Sequence, residues 1–298
     1  MFKVRVPAST ANLGPGFDCM GIALKLYSTA EFEKIDSGFE IVILDESRAF
    51  VPTDRTNLVY RAIEAVYASA GKDVPDGIKV TVSSDIPVTK GLGSSSSGIV
   101  LGVVGANHML GNIFSAEELI YIASELEGHP DNVTPALAGG FTVSMYESGK
   151  IVYSKSPVDI RLRFGAMIPD FFLQTKKSRR YLPRSVSMRS ACYNVAHASM
   201  LAAAMSTANT DLLSYCFKDR LHQRYRFPHI RSGEYIIRAA KRYGALGGYI
   251  SGAGPTIMTI VDKDYEAFEY NMNELIKTNL KNWRLVMLEA DNNGAVIE

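Results

Sequence analysis

Asp85-Ile-Pro-Val-Thr-Lys-Gly-Leu-Gly-Ser-Ser-Ser-Ser-Gly98 is the stretch around which the rest of the chain is organised. Before it, Ile78-Lys-Val-Thr-Val-Ser83 alternates in strand fashion, and after it Ile99-Val-Leu-Gly-Val-Val-Gly-Ala106 continues through Met109 at helical spacing. Strand, glycine-serine loop and helix in that order gather unpaired main-chain N–H groups and the positive end of a helix dipole at one point, which suits an anion. Gly91 and Gly93 let the main chain approach a phosphate with no Cβ in the way, and the serines add hydroxyl donors or a metal ligand. Two familiar phosphate motifs are excluded, because no Lys-Ser or Lys-Thr pair follows the second glycine and the G-x-G-x-x-G spacing is not met. A glycine-serine stretch alone is more often a flexible turn; the strand before it and the buried-looking helix after it favour a phosphate site.

Toward the N-terminus, residues 2–6 read as a strand that ends at Pro7-Ala-Ser-Thr-Ala-Asn-Leu-Gly-Pro-Gly-Phe-Asp18, a loop dense in turn-forming residues. Asn12 and Asp18 either stabilise that turn or face a substrate. Residues 21–27, 29–33 and 39–44 read as antiparallel strands, and Thr56 or Asn57 caps a helix to about Ala70. Beyond the central stretch, Ser115-Ala-Glu-Glu118 has the capping-box form and opens a helix that ends at Gly128. The segment from Glu127 to Gly140 reads as polar turns before a strand at 141–145. It is either a solvated bend or, through Glu127, His129, Asp131 and Asn132, a place for magnesium binding or proton handling.

Strands at 151–154 and 162–168 bracket a boundary that divides the chain into units 1–157 and 158–298. Thr175-Lys-Lys-Ser-Arg-Arg180 reads as a cationic loop, a solvated charge run or a grip for anions. Helices are expected over 186–207, 211–218, 236–243 and 265–279, and the basic stretch 219–226, with His222, has no assigned role. Gly247 to Thr256 forms a second glycine-rich loop, either a hairpin turn or the far wall of one site, before strands at 257–261 and 283–288.

With 298 residues, 47% hydrophobic content and a formal net charge of +1, the chain reads as a soluble globular protein with no overall attraction to nucleic acid or membrane. Cys19, Cys192 and Cys216 lie far apart and odd in number, as free thiols in a reducing cytoplasm would. The N-terminus lacks a signal peptide's apolar core, and no apolar run approaches the ~20 residues needed to span a bilayer.

Three motifs, Pro7 to Asp18, Pro87-Val-Thr-Lys-Gly-Leu-Gly-Ser-Ser-Ser96 and Ser251-Gly-Ala-Gly-Pro-Thr256, resemble in order and spacing those of the GHMP kinases. The resemblance covers the whole chain. It implies an α+β fold of two domains, a ribosomal-protein and elongation-factor-like N-terminal domain plus a ferredoxin-like C-terminal one, with ATP bound between them and a homodimer as the usual assembly. Gly16-Phe-Asp18, His129-Pro-Asp-Asn132, Thr175-Lys-Lys-Ser-Arg179 and Tyr225-Arg226 resemble the branch whose acceptor is L-homoserine.

Carried onto this sequence, the family's roles give an ATP site from Asn57, near the adenine, and from Pro87, Val88, Thr89, Lys90, Gly91, Leu92, Gly93, Ser94, Ser95, Ser96 and Ser97 around the phosphates. Ser95 and Glu127 become the magnesium ligands, although many relatives have more residues than the single Gly128 before the histidine. The acceptor lies among Asn12, Asp18, His129, Asn132, Arg179, Arg226 and Gly254. Asp18 suits its ammonium and guanidinium groups its carboxylate. The implied reaction is in-line phosphoryl transfer to the hydroxyl, with Ser95, Glu127, Asn132 and Arg179 as the catalytic set. Where some relatives place an aspartate base this chain has Asn132, whose amide cannot accept the proton, so Asn132 is expected to orient the hydroxyl. Asp131 as a base is the alternative. Other acceptors (mevalonate, shikimate, a sugar) and a non-catalytic descendant are the competing expectations.

Overall fold

The computed structural model describes every residue except 174, 263 and 264, with main chain alone at 175–177. The first half alternates strands and helices: β1 Phe2–Ala11, β2 Met20–Lys34, β3 Phe39–Ile43, α1 Leu58–Ser69, β4 Ile78–Ser84, α2 Ser94–Met109, α3 Ala116–Glu127, α4 Pro130–Ala138, β5 Phe141–Glu147 and β6 Lys150–Ser156. The second half continues with β7 Arg163–Pro169, α5 Thr175–Arg180, α6 Met188–Ser206, α7 Thr210–Cys216, α8 Gln223–Arg226, α9 Gly233–Arg242, β8 Gly247–Ile250, β9 Ile257–Val261, α10 Tyr265–Asn279, β10 Trp283–Leu288 and β11 Val296–Ile297.

Two sheets result. The first runs β11-β1-β2-β4-β3, with β5 on the other end of β2 and β6 beyond it; only β3 and β4 are parallel. Val4, Val6, Phe32 and Val80 of this sheet are buried against the apolar faces of α1 to α4. The second sheet is antiparallel, in the order β10-β7-β9-β8, with α9 and α10 against one face. Neighbouring residues of β7 point to opposite faces, as the pleat requires. Met167 packs among the residues of α9 and α10, whereas Phe164, Ala166 and Ile168 join Ala8, Ile22, Leu24 and Phe141 of the first sheet in one continuous core. The two sheets therefore face each other across apolar side chains.

Five expectations change. Phe39–Ile43, expected among the antiparallel strands, pairs with β4 in parallel because α1 intervenes between them. The strand that was to end at Pro7 runs on to Ala11, since a register shift between Pro7 and Ala8 accommodates the residue that has no N–H to give. Met20 to Lys34 is one strand where two were expected. The turn-rich segment before Gly139 is the helix α4, which starts with Pro130 at its first turn and holds Pro135 inside. Its first seven residues are all buried, so packing rather than propensity sustains it. Finally, 175–180 is helical rather than a loop, and the side chains of its Thr175-Lys-Lys portion lie outside the described residues.

Candidate active site

Gly93, at φ +74°, is the N-cap of α2, and Gly91 has φ +83°, both in the region that favours glycine. The constraint is also one of space. A Cβ on Gly91 would overlap the carbonyl oxygens of Ser251 and Gly254, and one on Gly93 would overlap the Ser9 hydroxyl. The three motifs thus meet at two glycines. Hydrogen bonds fasten them: Ser9 N–H donates to Leu92 O (3.2 Å), Thr256 N–H to Lys90 O (3.1 Å) and the Ser251 hydroxyl to Gly91 O (2.6 Å). The glycine-rich stretch at 251–256 is the far wall of one site, and the part before it, 247–250, is strand β8.

With this geometry fixed, the N–H groups of Ser94, Ser95 and Ser96 at the head of α2 donate to no acceptor among the described residues. They open into a groove. At one end its wall is apolar, formed by Ile43, Phe50, Val51, Val82 and Leu101. At the other end stand Asp18, His129, Asn132, Arg179 and Arg226.

The predicted residues divide by what their side chains do. Val88, Thr89, Gly91, Gly93 and Ser94 to Ser97 line the groove. Pro87, Lys90, Leu92 and Gly254 do not. The Lys90 ammonium donates to Phe171 O (2.8 Å) and sits 3.9 Å from the Phe172 ring centroid, so it ties the loop to the second half of the chain instead of facing an anion. Leu92 is buried in the core, and Gly254 backs Gly91. Asn57 lines the groove, yet its oxygen caps Val59 N–H (2.8 Å) and its nitrogen donates to Pro52 O (2.6 Å). It shapes the wall rather than offering a free amide.

Glu127, the last residue of α3, takes the Ser95 hydroxyl on one carboxylate oxygen (2.9 Å) and the Ser96 hydroxyl on the other (2.8 Å). A hydroxyl and a carboxylate at a helix N-terminus are hard oxygen donors of the kind that suit magnesium. The single residue Gly128, at φ +91°, turns the chain from α3 into His129 and so into α4.

At the polar end, Asp131 Oδ1 accepts from His129 Nδ1 and from the Asn132 amide (3.3 Å), while the Asn132 oxygen accepts from Ser9 (2.9 Å). Burial alone would push the His129 pKa down, but Asp131, Glu127 and Asp18 outweigh it and raise it. Asn12 is a turn residue: its oxygen holds Asp18 N–H (2.9 Å) and its nitrogen donates to Gly252 O (2.8 Å). Asp18 itself faces the groove and pairs with both terminal nitrogens of Arg179 (2.8 and 2.9 Å). Ligand atoms of Asp18, His129 and Asp131 gather within 4.8 Å of one another. Arg226 is 2% exposed. Its Nη1 donates to Gly252 O (2.9 Å) and His222 Nδ1 (3.0 Å), and its Nε has no acceptor among the described residues.

Two family models match the chain, the N-terminal domain of the GHMP kinases over residues 57–140 and their C-terminal domain over 195–274. The homoserine kinase of Caldicellulosiruptor saccharolyticus is 43% identical over all of this chain and 96% of its own length. The chain belongs to the GHMP kinase family. The homoserine kinase of Clostridium beijerinckii is 42% identical over all of this chain and 98% of its own. The crystal structure of homoserine kinase from Cytophaga hutchinsonii superposes with a TM-score of 0.87 at 26% identity, covering all of this chain and 97% of that one. The two-domain GHMP kinase fold is accordingly the fold of this chain. Its second sheet has the strand order of a ferredoxin-like domain. Among the described residues no helix is long and apolar enough to cross a membrane.

Sequence reasoning missed several contributors to this GHMP kinase site. Ser9 and Ser251 sat inside quoted motifs without a role, the apolar wall comes from scattered residues (Ile43 and Val82 in strands, Phe50 and Val51 in a turn, Leu101 in α2), and His222 was left unassigned. His222 carries a measurable consequence. Burial holds its pKa down at about 4 against the ordinary 6.5; Asp219 opposes this and Arg226 adds to it. Above pH 6.5 both folded and unfolded chains hold a neutral imidazole, but below it the unfolded chain binds the proton first, so stability is lost as pH falls toward 4. The loss should approach about 3 kcal/mol, from 1.36 kcal/mol per pKa unit. Urea midpoints compared at pH 7 and pH 4.5 should show that component in the unaltered chain and not in His222→Asn; equal slopes would contradict it.

Proposed function

We infer that this chain is an ATP-dependent homoserine kinase that transfers the γ-phosphoryl group to the side-chain hydroxyl of L-homoserine. The observation that carries the reading is the buried Arg226. Nη1 is committed to protein acceptors, and the adjoining edge made by Nε and Nη2 donates to nothing among the described residues while the residue lines the groove. That edge has the fork geometry of a bidentate carboxylate grip. In the same groove Asp18, whose two oxygens pair with Arg179 here, would take the ammonium by exchanging or sharing that partner. An acceptor carrying both charges fits this end, which argues against mevalonate, shikimate and sugars.

The remainder of the site follows from charge. The free N–H groups of Ser94 to Ser96 suit the phosphates of ATP, and the apolar wall of Ile43, Phe50 and Val82 suits its base. Ser95 and Glu127 would hold magnesium, which when bound supplies positive charge against the developing phosphate oxygens. Attack by the hydroxyl oxygen forms the new P–O bond as the bond to the ADP oxygen breaks, and the proton leaves to phosphate or solvent. Asn132, tied down by Ser9 and Asp131, orients the hydroxyl. Asp131 is 1% exposed and already accepts two donors, which favours a positioning part for it over that of a base.

The test is ATP consumption with L-homoserine beside mevalonate, shikimate and galactose; turnover of any of the last three but not the first refutes the reading. Asn132→Ala should lower kcat about a hundredfold with little change in KM for ATP, as expected for lost orientation of a reacting group. Near-normal turnover in the folded variant would remove Asn132 from that role. We also place the division between the two domains near residue 157. The exposed apolar residues Met188, Val195 and Met200 of α6 are compatible with a homodimer in the cytoplasm, to be checked by sedimentation.

A further inference from the structure

The basic stretch Asp219–Arg226 reaches the groove through Arg226, and His222, one helical turn earlier, lies behind it, fully buried. We propose that His222 is a positioning residue: held as its Nε2–H tautomer, it takes one Nη1 hydrogen of Arg226 and so aims the free edge of that guanidinium at the acceptor's carboxylate. This rests on the reading of Arg226 given above.

Two contacts set the tautomer without ambiguity. Nε2 lies 2.8 Å from the Gly14 carbonyl oxygen, which can only accept, so Nε2 carries the hydrogen. Nδ1 lies 3.0 Å from Arg226 Nη1, which can only donate, so Nδ1 must present its lone pair. The ring is stacked on Phe17 with centroids 5.0 Å apart, and the Arg226 guanidinium lies 5.5 Å from the same ring's centroid. Asp219 stands 3.8 Å from Nε2 but is occupied by the main-chain N–H groups of Leu221 (2.9 Å), His222 (3.0 Å) and Gln223 (2.7 Å), so it fixes the start of α8 and leaves the ring hydrogen to Gly14.

Rotation of a guanidinium is stopped only when more than one hydrogen is engaged. His222 Nδ1 and Gly252 O hold the two hydrogens of Nη1 from different directions. Without the imidazole, Gly252 O is the one remaining acceptor, and the planar group can turn its fork away from the groove. Such a loss weakens binding of the acceptor more than binding of the nucleotide, whose subsite lies at the other end.

The kinetic experiment compares His222→Phe, which fills the same stacking place but accepts nothing, with His222→Asn, whose side-chain oxygen replaces Nδ1 as acceptor. In His222→Phe the KM for L-homoserine should rise at least tenfold while KM for ATP stays within twofold, and His222→Asn should recover most of the loss. A folded His222→Phe with KM for L-homoserine within twofold of the unaltered chain overturns the proposal, as does an equal rise in both KM values. Should the phenylalanine variant not fold, 15N NMR of the histidine rings in the unaltered chain decides: a bare Nδ1 and protonated Nε2 at neutral pH support the assignment, and the opposite tautomer or an imidazolium overturns it. An unaltered chain that phosphorylates another alcohol and not L-homoserine overturns the acceptor assignment instead, and the NMR readout stands apart from that result.

Discussion

Glu127→Ala should lower kcat for L-homoserine phosphorylation by about a thousandfold, the scale reached when one electrostatic stabiliser of a developing charge is removed. The reason lies in the shape of the contact. Glu127 meets two serine hydroxyls at the head of α2, one on each carboxylate oxygen, so the carboxylate is held beside the N–H groups assigned to the phosphates. Removing it would take away the negative ligand of the proposed divalent cation and leave the Ser95 and Ser96 hydroxyls without their acceptor. The expected signature is a rise in the magnesium concentration needed for half-maximal rate together with the fall in kcat, measured by steady-state assay across a magnesium titration. Glu127→Gln, which keeps an oxygen but not the charge, should fall between. Both variants keep the fold, because Glu127 caps nothing in α3 and Gly128 still ends that helix. A folded Glu127→Ala with turnover within tenfold of the unaltered chain would move the cation site elsewhere.

Arg226→Met should raise the KM for L-homoserine by about thirtyfold or more. Charge-assisted, bidentate contacts made out of reach of water lose about 2–5 kcal/mol when one partner is truncated, and 1.4 kcal/mol is a factor of ten. Burial places Arg226 in that regime. It lowers the group's pKa to about 10, while Asp18 pulls it upward and Arg179 pushes it down, so it remains a cation at neutral pH. Arg226→Lys should not rescue, because an ammonium on a flexible stem supplies a point charge and no fork. KM for ATP serves as the internal control in the same assay. If Arg226→Lys restores KM to within threefold, charge alone suffices and the fork is irrelevant.

How far these conclusions were legible in the sequence depended on distance along the chain. The α2 segment and its glycine loop were readable because a strand period gives way to a helix period within a few residues, and turn residues mark the switch. The capping box at Ser115 located the start of α3 for the same local reason. By contrast, α4 has two prolines and a run of polar residues in its first turn, so no periodic signal survives; tertiary burial overrides the local preference. The continuation of β1 through Pro7 was hidden because the compensating bulge involves the partner strand β2. Within the site, Asp18, Glu127, His129, Arg179 and Arg226 line one groove, but their pairings were not legible. Lys90 sits in the middle of the phosphate motif and looks like an anion ligand until its partner, Phe171, is seen 81 positions away. Asn57 presents the opposite case, in which the plain local account, a cap, describes what its amide does, whereas Asn12 adds to its turn a bond to Gly252 that no local reading reveals.

The crowding around Gly91 and Gly93 bears on how the two ends of the groove communicate. One short loop rests on Ser9 of the first motif, hydroxyl and main chain together, on one side and directly on backbone of the third on the other. A tilt of either sheet must therefore displace the loop proposed to hold the triphosphate, as a rigid lever moves both of its arms. The wall proposed for the acceptor, built on Gly252, hangs from the same backbone, so in the proposed reaction the donor and recipient of the phosphoryl group would be kept in register by stiffness rather than by a chain of intermediaries.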